Sequence, residues 1–166
     1  MKYRYAICLF LTAFIIQTTL MNALSVFGAT PNLLLCLVVI FSFLYDDKNY
    51  GIVLGIVFGL LYDICFAQYA GISALAFLVI SIAIMLVSVV MSKEAVFSII
   101  IIAASATCAY TLIYWGIMYM LGSNYSFLYM LGFLPLYVLY NTVIVIILYY
   151  LMIKKVIRHH KDRFFK

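Results

Sequence analysis

The sequence predicts an all-α polytopic membrane protein: a bundle of six transmembrane helices with short loops and both termini cytoplasmic. Three observations predict it. First, 69% of the 166 residues are apolar, 9% are charged, and the mean hydropathy is +1.25. A soluble domain of this length cannot hide so much apolar surface, so lipid is the solvent for most of the chain. Second, apolar runs near the roughly 20 residues needed to cross the hydrocarbon core recur six times between charges, glycines and prolines. Third, six spans put all ten Lys and Arg on one side, and the opposite loops hold none. A wrong span count would scatter them. The positive-inside rule assigns that side to the cytoplasm. With almost no mass outside the bilayer, the protein must meet any partner in the membrane or through short loops and the tails.

The first span runs from Tyr5 to Phe27. Its start, "MKYRYAICLFLTAF", has the basic and apolar regions of a secretory signal. A cut after Ala23 would place Met21 at the −3 position, where a small residue is needed, so the segment reads as an uncleaved span. The second span, Pro31 to Tyr45, is short unless it borrows from the loop before it. The third is Gly51 to Gln68, the fourth Gly71 to Met91. The fifth, Ala95 to Leu121, is long enough to tilt, and the sixth is Tyr129 to Ile153. Residues 1–153 thus form one transmembrane domain, and neighbouring helices are antiparallel because the loops are only a few residues long. Residues 154–166 form a basic cytoplasmic tail carrying Lys154, Lys155, Arg158, Lys161, Arg163 and Lys166 against one acid. It anchors the topology and sits on anionic lipid, at about 1 kcal/mol per basic residue near the surface. Docking of a cytoplasmic partner is the alternative reading. His159 and His160 are adjacent, hence about 100° apart on a helix, and make a poor metal pair.

The segment "GIVLGIVFGLLYD" holds the most informative spacing. Gly51, Gly55 and Gly59 recur every four residues and share a helix face with Asp63. Small residues at this spacing let a second backbone come close, which drives helix packing in lipid. The same face serves an internal helix or a partner's helix. Asp63 is costly in a span and needs a pair, hydrogen bonds or a proton. No Lys or Arg occurs in any span or outer loop. Its candidate partners are tyrosines, amides, water, and the free N–H groups where the next helix starts near Gly71. A cation from another protein is the alternative. In the sixth span Asn141 shares a face with Tyr137 and is expected to hydrogen-bond across helices, as are Gln17 and Asn22 in the first. Tyr110, Tyr114 and Trp115 make an aromatic patch in the fifth. Cys8, Cys36, Cys65 and Cys108 lie apart in apolar runs and read as packed free thiols.

No catalytic, metal-ligand or phosphate-loop motif is present, and no second intramembrane acid could share acid–base work with Asp63. No catalytic residue, cofactor or metal is therefore expected. Against this background, the stretch from Pro31 to Leu75 resembles the signature region of the rod shape-determining MreD family. The residues that carry the resemblance are Pro31, Asn32 and Leu33 at the start of an early span, then Gly55, Gly59, Leu60, Asp63 and Gly71. Many members have Asp where this chain has Asn32, which implies that a charge there is not required here. The resemblance implies a non-catalytic component of the lateral cell-wall synthesis machinery in the bacterial inner membrane. It implies MreC as partner, beside MreB, RodA and RodA's transpeptidase partner, and no nucleic acid. Six short helices also resemble the substrate-binding subunit of energy-coupling-factor vitamin transporters. That alternative asks for small residues four apart in the first helix, where this chain has Ala6 and Ala13.

Overall fold

The computed structural model describes residues 3–19, 29–45, 49–93, 95–124 and 126–164, with the backbone alone for residues 3 and 154–164. Lys2, Asn22, Lys48, Lys166 and the end of the first expected span lie outside the described residues. So do the side chains of Lys154, Lys155, Arg158, Lys161 and Arg163. Six helices are described: α1 (Tyr3–Thr19), α2 (Leu33–Leu44), α3 (Asn49–Phe66), α4 (Ile72–Val87), α5 (Val96–Met120) and α6 (Phe127–Phe164). Three of them, α3, α5 and the Phe127–Ile153 part of α6, are long and apolar enough to cross a membrane.

The short helix α2 organises the rest. Its 12 residues rise about 18 Å, well short of a roughly 30 Å hydrocarbon core. Its sequence, LLLCLVVIFSFL, is apolar on every side, the pattern of a helix with no solvent face. All of it beyond Leu33 is buried, and it packs against each of the other five helices. The second apolar run is short because it forms the axis of the bundle. Around it the other helices follow one another as α1–α3–α4–α5–α6, and α1 and α6 do not touch among the described residues. Phe10 of α1 meets Phe41 of α2 and Phe58 of α3, each at 5.5 Å between ring centroids, and fixes that side of the core.

An axial helix in a dry bundle cannot leave its terminal N–H and C=O groups to water. At the start of α2, Asn32 is the N-cap and accepts from Leu35 N at 3.0 Å. At the other end, Lys93 Nζ donates to the Leu44 carbonyl at 3.5 Å, where a cation also complements the helix dipole. Tyr149 of α6 donates to the Lys93 carbonyl at 3.0 Å and holds that turn in place.

The structure departs from these expectations at several places. The helix of the fourth span stops at Val87, and the chain turns from Ser88 to Met91. The sixth begins two residues earlier, at Phe127, and tolerates Pro135 inside it. It also continues unbroken to Phe164, so the backbone of the basic segment is helical and prolongs α6. The cysteines are all free, but only Cys36 is packed inside; Cys8 and Cys65 lie exposed on the outside of the bundle. A bundle bathed in lipid gains nothing by burying a thiol, so helix position alone decides.

Candidate functional site: a capped helix joint and a cleft beside it

The buried stripe of α3 is Gly51, Leu54, Gly55, Phe58, Gly59 and Asp63, with Tyr50 at its start. Its glycines face two helices of this chain. A Cβ on Gly51 would collide with Ser42 Oγ and approach Ser42 N to 2.9 Å, so Gly51 packs on the α2 backbone. A Cβ on Gly55 would reach Val38 Cγ2 at 3.0 Å and Phe77 Cβ at 3.5 Å, between α2 and α4. On Gly59 it would meet Phe77 Cδ2 at 2.8 Å and the Cα and N of Ala74 at 3.0 Å. The stripe therefore wedges α3 between α2 and α4, with backbone against backbone at its two ends.

Asp63 closes this wedge. It is 1% exposed and lies in the last turn of α3. Its Oδ2 accepts from Gly71 N at 3.0 Å and from Ser73 N at 2.7 Å. Gly71 is the N-cap of α4 and has no side chain to cap with, so Asp63 supplies the missing acceptor from the preceding helix. Two features make this possible. The turn between α3 and α4 is only a few residues long, and Gly71 takes φ +100°, in the left-handed region that favours glycine. The positive end of the α4 dipole stabilises the carboxylate that its free N–H groups bind. Asp63 Oδ1 is sealed from solvent and makes no hydrogen bond among the described residues. Ser73 extends the joint: its Oγ and Tyr110 Oη, on α5, lie 3.1 Å apart.

A second polar cluster surrounds the motif residues Pro31, Asn32 and Leu33. Gln17 of α1 donates through Nε2 to the Pro31 carbonyl at 3.0 Å and accepts through Oε1 from Leu33 N at 2.7 Å. Asn141 of α6 is 3% exposed; its Oδ1 accepts from Asn32 N at 2.8 Å, and its Nδ2 donates to Thr107 Oγ1 at 3.3 Å. Cys36 Sγ also points at the Asn141 carbonyl, at 3.6 Å. Three side-chain oxygens, from α1, α6 and Asn32 itself, thus satisfy three N–H groups at the start of the axial helix. Asn141 acts across helices through Asn32 N and Thr107. Its expected companion Tyr137 stands one turn away on the same cleft.

The two clusters are joined by a cleft of about 420 Å³. Gln17, Pro31, Asn32 and Asn141 line it from the α2 start. Tyr62, the neighbour of Asp63, and Tyr110, the partner of Ser73, line it from the joint. The expected aromatic patch forms its α5 wall: Tyr110 and Tyr114 stack at 6.0 Å, and Trp115 follows. Sequence reasoning missed Thr107, Ser73 and Lys93 as hydrogen-bonding partners. A hydroxyl residue two positions after Gly71 was the one available signal. Among the described residues, no group of three or more His, Cys, Asp or Glu is placed to hold a metal ion.

The geometry can hold helices in register and can admit a small molecule. No curated protein and no solved structure matches the chain. The family model described as rod shape-determining protein MreD matches residues 1–158, far beyond the Pro31–Leu75 stretch that carries the motif. With all but the last eight of its 166 residues inside that match, the chain belongs to the MreD family of rod shape-determining proteins.

Proposed function

We propose that this chain is a non-catalytic, multi-pass component of the bacterial inner membrane that helps build the lateral cell wall by binding MreC. In this reading all six helices traverse the bilayer with both termini cytoplasmic. The chain belongs to the assembly that contains MreB, RodA and RodA's transpeptidase partner. Family membership across residues 1–158 carries the proposal. The interior chemistry supports a structural role for Asp63, which is engaged in capping a helix. The glycine stripe is turned inward on α2 and α4, so a partner helix meets the opposite face of α3. That face exposes Val53, Val57, Leu60, Leu61 and Ile64. The basic end of α6 lies on anionic lipid and faces the cytoplasmic partners.

Crosslinking in cells tests this. Photoreactive side chains at Val57 and Ile64, and others along residues 154–166, are activated in growing cells and the adducts identified. Adducts with MreC at the α3 positions, and recovery of MreC in mild detergent, are expected. Recovery of an ATPase module with a small bound ligand, and no MreC from either experiment, refutes the proposal in favour of a transporter subunit.

A further inference from the structure

The two halves of α6 are held differently. From Asn141 onward the helix presents a regular buried seam of Asn141, Val145, Tyr149 and Met152. Asn141 is tied to Asn32 N and Thr107, and Tyr149 to the Lys93 carbonyl. The apolar core takes Val145, Tyr149 and Met152 from this half. It takes none of residues 127–140, and of these only Met130 is buried. In lipid no hydrophobic force presses such a segment back onto its neighbour. Yet the same segment supplies Tyr129, Met130 and Phe133 to the wall of the cleft.

Two helix-weakening residues stand one turn apart where the seam gives out. Pro135 has no N–H, so the Leu131 carbonyl loses the bond that the next turn would donate. Gly132 does not serve a close approach: a Cβ on it would meet no atom within 4 Å. Its φ lies outside the left-handed region as well. What the glycine contributes is a weak point in the helix. Both residues lie on the exposed side of α6, and the helix runs unbroken through them. Beyond them, Phe127 meets Trp115 of α5 with ring centroids 5.0 Å apart and planes at 60°. We propose that the start of α6 is a gate on the cleft. Phe127–Leu131 swings away from α5 about a joint at Gly132–Pro135, and the contact of Phe127 with Trp115 is its latch. Tyr129 and Met130 leave with the gate, and the cleft opens sideways between α5 and α6 to the surrounding lipid. The half from Asn141 onward stays in place, so the hydrogen bonds at the α2 start survive opening. The proposal does not depend on the partner assigned above.

Distances between pairs of spin labels, measured on the full-length protein in nanodiscs, test this. Cys8, Cys65 and Cys108 are replaced by alanine, and the buried Cys36 is kept. Ile64 is exposed at the end of α3, Leu128 on the gate and Leu139 beyond the joint. The pair Ile64→Cys, Leu128→Cys should show two distances, and the pair Ile64→Cys, Leu139→Cys a single one. Gly132→Ala, which clashes with nothing, should lower the population of the longer distance about fivefold. Adding Pro135→Ala should lower it further. Trp115 is the single tryptophan of the chain, so quenching by lipids brominated on their acyl chains gives a second reading. Opening uncovers the indole, and Gly132→Ala should reduce the quenching while leaving the Phe127 contact intact. A single Ile64–Leu128 distance overturns the proposal. So do two distances in both pairs, or distances and quenching unchanged by Gly132→Ala.

Discussion

At the residue scale, Asp63 shows how a carboxylate can be stable in a span without a cation. Its Oδ2 takes two N–H groups from the α4 start, and the dipole of that helix provides the positive field. Hydrogen-bond acceptance is the property that matters here, so Asp63→Asn should be tolerated far better than Asp63→Leu. Asn keeps an accepting oxygen at the same reach. Leu keeps the volume but strands the donors of Gly71 and Ser73, at about 1–3 kcal/mol for each one left unsatisfied. Thermal unfolding and recovery of MreC, at equal membrane expression, separate the two variants. Equal loss of MreC with both would mean that a partner's cation pairs with the carboxylate. Gly71 makes a complementary case. A Cβ there meets no atom within 4 Å, yet φ is +100°. Gly71→Ala should therefore lower stability by about 1–2 kcal/mol through backbone conformation alone, and Gly71→Asn by less. If Ala and Asn prove equally destabilising, conformation is not the cause.

At the scale of helices, the α3 stripe and the axial helix α2 explain each other. The glycines let α3 lie against α2 at one end and α4 at the other, and the length of α2 limits how much of α3 it can cover. The contacts rank the substitutions. A methyl at Gly55 meets the end of the Val38 side chain, which can yield, whereas a methyl at Gly59 meets the Ala74 backbone, which cannot. Gly59→Ala should cost about 1–3 kcal/mol, more than Gly55→Ala, and Gly59→Leu should abolish assembly. Leu60→Ala, at a position 41% exposed on the outside, should change the unfolding of the purified protein little. Unfolding of the purified variants and cell shape on complementation measure this order. Wild-type behaviour of Gly59→Leu in both would remove the wedge. The stripe was legible in the sequence because four-residue spacing of small residues needs only helical geometry. The sequence shows that α2 is short but not that it is the axis. A run of apolar residues has no periodicity to say which side is in, and only packing against five neighbours settles that it is the axis. The pairing of Asn141 with Asn32 N was equally out of reach, since it spans 109 positions.

For the whole molecule, charge distribution and packing bear on one question, which way the bundle stands. Of the five acids in the chain, Asp46, Asp47, Glu94 and Asp162 sit near the lysines and arginines, and only Asp63 lies toward the other end. The cleft lies at that end, which holds no Lys or Arg, between the α2 start, the α3 end and the meeting of α5 and α6. Lys93 belongs to the charged end and is tied into the fold through Leu44 and Tyr149, so this charge cannot be moved across without breaking α2's C-terminal cap. In the proposed topology an even number of crossings puts both termini on one side, and the positive-inside rule, applied to the ten basic residues, makes that side cytoplasmic. A reporter fused after Lys166 that works only in the cytoplasm should be active, and one that works only in the periplasm should be silent. Fused after Gly122, in the turn between α5 and α6, the two should exchange. The helix lengths make this a sharp test. Three helices are long enough to cross unaided, and α2 is short enough to stop inside. Were α2 to enter and leave on the same face, the count would fall to five. The C-terminal fusion would then report the periplasm while a fusion before Met1 reported the cytoplasm. Activity of the same reporter at both ends is the outcome that keeps α2 as a crossing helix, carried through the bilayer by the five around it.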